Sequence, residues 1–134
     1  MNTKPSLSYW ARQSLVVTLT LATVVCAYLP IQGAQEDAKF VAVEKDGSKV
    51  WEGGGTIDLK ARGSRPLTLK VVNTLTAEHG FAIDTMKVKE VIKPGEEKTI
   101  TVPLANIDTM VSEHRVYCHL HPKHVAATLK VTGR

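Results

Sequence analysis

The stretch Leu67-Thr68-Leu69-Lys70-Val71-Val72-Asn73 alternates apolar and polar side chains. A period of two puts Leu67, Leu69 and Val71 on one face of an extended chain and Thr68, Lys70 and Val72 on the other, the mark of a half-buried strand. The same alternation recurs in Thr56–Ala61 and Lys98–Pro103, and Phe40–Glu44, Val88–Ile92, Val111–Tyr117 and Ala127–Thr132 are further strand-like runs. Turn-forming clusters separate them: Lys45-Asp46-Gly47-Ser48-Lys49, Arg62-Gly63-Ser64-Arg65-Pro66 and Lys93-Pro94-Gly95-Glu96. No long segment follows the helical period, so the pattern predicts an all-β sandwich or barrel of about seven or eight strands. Gly53-Gly54-Gly55 reads as a flexible loop, because no helical pattern follows it to make a phosphate cradle. Trp51 reads as a core or edge aromatic, and Leu104–Met110 as a short helical turn or loop.

That pattern begins only after residue 34. Residues 1–13 carry Lys4 and Arg12 and no acid, and Ser14–Ile31 carries no charge. A basic start, an apolar run rich in Leu, Val, Ala and Thr, and the small pair Gly33-Ala34 predict a secretory signal peptide over residues 1–34. Gln32 fits the usual cleavage pattern poorly, and an uncleaved membrane anchor is the alternative. Either way residues 35–134 form one domain outside the cytoplasm, in the periplasm. The chain holds 17 Lys and Arg against 13 Asp and Glu. With Lys4 and Arg12 in the leader, the domain is near neutral and its basic residues are interleaved with acids. That distribution excludes nucleic acid as a partner.

Of the two cysteines, Cys26 falls in the leader, which leaves Cys118 alone in an oxidising compartment. Metal ligation would shield such a thiol and use it. Cys118 opens Cys118-His119-Leu120-His121-Pro122-Lys123-His124, where four metal-capable side chains fall within seven residues, between two strand-like runs. One thiolate with several imidazoles suits copper or zinc better than calcium or magnesium. Cys118, His121 and His124 follow one another at intervals of three, so a tight turn lets them face one centre. His119 directly follows Cys118 and faces away in extended backbone, so it ranks behind them as a ligand. His114 would lie about 13 Å from Cys118 along a strand, too far for a shared metal. His79, about 40 residues upstream at the start of a strand, is the candidate remote ligand. No catalytic triad is credible: a metal would silence the Cys118 thiol as a nucleophile.

An early His followed by Tyr-Cys-x-x-His-Pro-x-His before a last strand resembles the cupredoxin family of copper proteins. The stretches His79-Gly80-Phe81-Ala82-Ile83-Asp84, Glu90–Glu96, Lys98-Thr99-Ile100 and Cys118–Lys123 are similar to its nitrosocyanin-like, red-copper branch. The similarity covers roughly the last 65 residues well. It implies a Greek-key β-sandwich, one copper per chain, and His79, Cys118 and His121 as the ligand trio. His124 takes the place where electron-transfer members have an axial Met. The red-copper branch has a Glu where His79 aligns, so Glu78 is a further candidate if the register shifts by one. Gly80 stands where many members have an Asn, which puts the usual hydrogen bond to the cysteine sulfur in doubt. Phe81, Leu120, Pro122 and Val125 are expected to form an apolar rim, and Asn73 to bond near the site. The resemblance also implies a homotrimer.

The leading expectation is one-electron transfer with a periplasmic redox protein. The alternatives are a copper enzyme or binder of a small molecule such as nitric oxide, a copper carrier, and a zinc domain, since one cysteine and three histidines also suit tetrahedral zinc.

Overall fold

The computed structural model describes residues 35–133; the leader expected over 1–34 lies outside them. Eight strands make up the described domain: β1 (Ala38–Lys45), β2 (Ser48–Asp58), β3 (Leu67–Asn73), β4 (His79–Ile83), β5 (Val88–Ile92), β6 (Glu97–Val102), β7 (Glu113–Val116) and β8 (Ala127–Thr132). The fold is all-β, as the alternation predicts. The longest helical piece among the described residues is a single turn, α1 (Leu59–Arg62). Short 3₁₀ turns follow β4 at Asp84–Met86 and β6 at Leu104–Asn106.

Six strands pair in the order β6-β3-β1-β2-β8-β7, and β4 pairs with β5. β1 and β2 form a hairpin in which Lys45 faces Ser48. Its two loop residues, Asp46 and Gly47, have φ of 51° and 73°, the mirror-image turn that matches strand twist and that an Asp-Gly pair favours. β1 runs parallel to β3, and β2 runs parallel to β8. The connections therefore cross between sheets, as in a Greek key.

Gly53-Gly54-Gly55 is not a loop. It lies inside β2, at the point where the strand leaves one partner for another: Gly53 and Gly54 pair with β1, and Gly55 pairs with Leu129 of β8. A Cβ on Gly53 would sit 2.0 Å from the Lys39 carbonyl oxygen, and one on Gly54 would sit 2.6 Å from that of Thr128. The glycines let one strand turn a corner between two sheets while neighbouring backbones close in. The strand read over Thr56–Ala61 also ends early. Asp58 caps α1 by accepting hydrogen bonds from the Lys60 and Ala61 backbone N–H groups, which satisfies donors that would otherwise be orphaned.

The alternating residues of β3 close the core, with Leu67, Leu69 and Val71 fully buried. Each such side chain contributes about 1.5–3 kcal/mol of burial. Phe40 of β1 meets Phe81 of β4 at 5.3 Å between ring centres, and Leu129 and Val131 of β8 are fully buried in the same core.

Candidate metal centre

Three backbone segments build the site. His79 opens β4, whose five residues are all buried. Asn73, at the end of β3, sets how the chain reaches it. Its side-chain amide donates to the carbonyls of Ala77 (2.8 Å) and Ile92 (3.0 Å), and its oxygen accepts from the Leu75 N–H (3.0 Å). Asn73 therefore ties down the loop before His79 rather than bonding at the metal-capable residues themselves. Cys118 follows β7 directly. Tyr117 and Ala82 exchange both backbone hydrogen bonds, at 2.9 and 3.0 Å, which joins β4 to the end of β7 and sets Cys118 beside His79. The loop then folds back through a bond from the His124 N–H to the His121 carbonyl (3.1 Å), a turn that Pro122 helps to preset. Lys49 and Trp51 of β2 hold its far end: the Val125 N–H donates to the Lys49 carbonyl (3.0 Å), and the Trp51 N–H donates to the Val125 carbonyl (3.3 Å).

The result brings His79, Cys118, His121 and His124 together, with one donor atom from each lying within 4.8 Å of the others. His79 and Cys118 are buried, and His121 and His124 are partly exposed. Cys118 Sγ lies 3.8 Å from His79 Nδ1 and 3.4 Å from His121 Nδ1. Metal–sulfur and metal–nitrogen bonds of about 2.3 and 2.0–2.1 Å, at tetrahedral to trigonal angles, separate the two donors by roughly 3.5–3.8 Å. The residues fit a single ion.

The electrostatics favour the same state. Burial pushes the His79 pKa down to about 4, helped by His124, His121 and Lys49. Burial also lowers that of His124, again with His121 and Lys49 contributing. At neutral pH both rings are uncharged, which is the form that binds metal.

The remaining candidates stand apart from the four donors. Glu78 is exposed, facing solvent. His119 points its ring at Gly80, where a Cβ would come within 2.5 Å of its Nδ1. His114 is fully buried, with its Nδ1 2.7 Å from the Thr85 hydroxyl. Met86 is core and Met110 is surface. Leu120, Pro122 and Val125 form the exposed apolar rim, but Phe81 does not join it: it is fully buried beneath the site, packed on Phe40 and Trp51. Tyr117 donates from its hydroxyl to the Asp84 carboxylate and carries the Arg115 guanidinium over its ring.

The hydrogen bond to sulfur that the Gly80 substitution put in doubt is present. The Gly80 backbone N–H donates to Cys118 Sγ at 3.2 Å. A main-chain donor does not depend on the side chain, so Gly serves where Asn would. Two contributors were not legible beforehand: Gly80 as the sulfur's donor, and Trp51, whose indole N–H donates to the Gly80 carbonyl at 3.0 Å.

Fold and site together define an all-β domain with a one-cysteine, three-histidine cluster whose chemistry suits copper. No protein-family model and no curated protein sequence matches the chain. Among solved structures it is similar to a laccase-like multi-copper oxidase from Ochrobactrum sp., at 20% identity and a TM-score of 0.48, over 70% of this chain and 26% of that one. It is also similar to a laccase from Pediococcus acidilactici, at 14% identity and a TM-score of 0.48, over 70% and 25% of the two chains. The chain spans about a quarter of the length of these proteins.

Proposed function

We propose that the domain is an exported one-electron copper protein of the cupredoxin kind, similar to nitrosocyanin, holding one copper ion per chain through His79, Cys118, His121 and His124. The observation that carries this reading is the convergence of those four donors within 4.8 Å. A thiolate and imidazoles select a soft or borderline ion, and zinc is the competing occupant. Bound copper would supply a Cu(II)/Cu(I) couple. The protein's part is to hold Cys118, just past β7, and His79, at the start of β4, buried side by side, while His121 and His124 reach toward the surface beneath the apolar rim. Lys49 and Lys123 beside that rim favour a redox partner with an acidic face in the periplasm. His124 is a stronger donor than the thioether it replaces, so it favours Cu(II), lowers the reduction potential and makes the oxidised protein red or green rather than intensely blue.

Metal analysis with optical and EPR spectra of the exported protein tests this. Zinc uptake with no copper uptake sinks it, and an intense blue band with no strong band at shorter wavelength removes His124 from the ligand set. One observation favours a second reading, small-molecule binding at the metal: a cleft of about 270 Å³, lined by Arg115, Tyr117, Cys118, His119, Pro122 and His124, reaches two of the four donors. A new spectrum on adding azide or nitric oxide to the copper form would shift the assignment that way. Light scattering on the intact protein tests the trimer.

A further inference from the structure

On the edge facing away from β5, β4 meets the chain just past β7 at one isolated bridge. Ala82 exchanges both hydrogen bonds with Tyr117, so the next pair along the antiparallel register would be Gly80 with His119. There the chain has already turned into the metal loop. The two Gly80 groups facing that side are taken by other partners: its N–H donates to Cys118 Sγ (3.2 Å), and its carbonyl accepts from the Trp51 indole (3.0 Å). Trp51 belongs to β2, on the far side of the core. It is 3% exposed, and its ring stands edge-on to both His79 and Phe81, at 6.4 and 5.2 Å between centres. Its backbone N–H meanwhile holds the Val125 carbonyl, one residue past His124. A single residue thus ties the strand carrying His79 to the end of the loop carrying the other three donors.

We propose that Trp51 is a positioning residue for the metal centre, and that its indole N–H sets the strength of the Gly80 N–H···Sγ bond. The inference rests on the reading of the four donors as metal ligands. With the indole bond in place, Gly80 is fixed with its N–H aimed at the sulfur. A donor there withdraws electron density from the thiolate, which tunes the potential and the colour of a copper–thiolate site. Without the indole bond the Gly80 carbonyl is left buried and unpaired, the strand end shifts to find a partner, and the N–H···S bond weakens. The thiolate then donates more strongly to the metal and the reduction potential falls.

The experiment replaces Trp51 by Phe in the full chain, which keeps an aromatic ring and removes the donor. In parallel, benzothienylalanine at position 51 keeps the bicyclic shape and puts sulfur in place of the N–H. Amide exchange at Gly80 is read by NMR on the metal-free protein. The thiolate-to-copper band and the reduction potential are read on the loaded protein. The expected result is about tenfold faster exchange at Gly80, the loss of roughly one hydrogen bond, with a shifted band and a lower potential. Should W51F fail to fold, the isosteric analogue gives the same readings. A lower melting temperature with unchanged Gly80 exchange, band and potential would make Trp51 core packing alone and overturn the proposal. If the wild-type protein takes up no copper, the metal reading fails by itself, and Gly80 exchange still decides whether the indole holds that strand.

Discussion

Gly80 and Cys118 are joined by a main-chain N–H···S bond of 3.2 Å, across 38 residues of sequence. The bond requires close approach. A Cβ on Gly80 would lie 2.8 Å from the His119 backbone nitrogen as well as 2.5 Å from its ring. The ring can swing away, but the backbone nitrogen cannot move without moving Cys118. Gly80→Ala should therefore destabilise the protein by about 1–3 kcal/mol, the range for overpacking a close contact, and lower copper affinity at the same time. Chemical denaturation and a competitive copper titration check both. A variant that binds copper as tightly as wild type would show that the loop can yield.

His119 and His124 occupy the same loop and should behave differently on substitution. The His119 ring faces Gly80, and His124 belongs to the converging donors. His119→Ala should keep one metal per chain with a spectrum close to wild type. His124→Met should keep the metal but replace a strong donor by a weak one, raising the reduction potential and moving the colour toward blue. Metal stoichiometry and voltammetry separate the two. Loss of metal in H119A would place His119 among the ligands instead.

Strand parity placed the seams of this fold well, because β3, β6 and β8 each bury one face and leave their alternation in the sequence. It failed at Gly53–Gly55, where a glycine run means close backbone approach inside a strand rather than freedom in a loop. The metal-capable loop was legible because Cys118, His121 and His124 lie close in sequence. His79, about 40 residues upstream, was legible only beside the Cys118 loop, because a lone histidine at a strand start carries little by itself. The roles of Trp51 and the Gly80 N–H left no trace in composition or spacing. One is a side-chain bond across 29 residues, and the other comes from a backbone every residue shares.

The metal-free protein should lose stability on mild acidification. His79 is held at about 4 in the folded state, against an ordinary value of 6.5. Between those values the unfolded chain binds a proton at this ring and the folded chain does not, so stability falls as the pH drops from about 6.5 toward 4. Burial at His124 and His119 acts in the same direction. The His79 contribution alone is roughly 3 kcal/mol at the acid end of the window. Bound copper should move the loss to lower pH, because protons must then displace the metal. Denaturant midpoints at several pH values, with and without copper, measure this. In metal-free His79→Phe the pH slope should flatten; an unchanged slope would assign it to other groups.

Asn73 shows how far from the four donors the site begins. It is fully buried, and its side chain makes three hydrogen bonds to the backbone of Leu75, Ala77 and Ile92. Asn73→Leu keeps the branched shape, with somewhat more bulk, but leaves two carbonyls and one N–H without the Asn73 partner. Groups near the loop surface can turn to water, but the Ile92 carbonyl sits beside a fully buried side chain and opposite His79 in the β4–β5 ladder. The expected cost is roughly 3 kcal/mol. Because the loop it anchors delivers His79, copper affinity should fall in step. Thr76→Ala, an exposed change in the same loop, should stay within about 0.5 kcal/mol. If N73L lost stability yet bound copper as tightly as T76A, β4 would be positioning His79 without help from the loop, through its pairing with β5 and Tyr117.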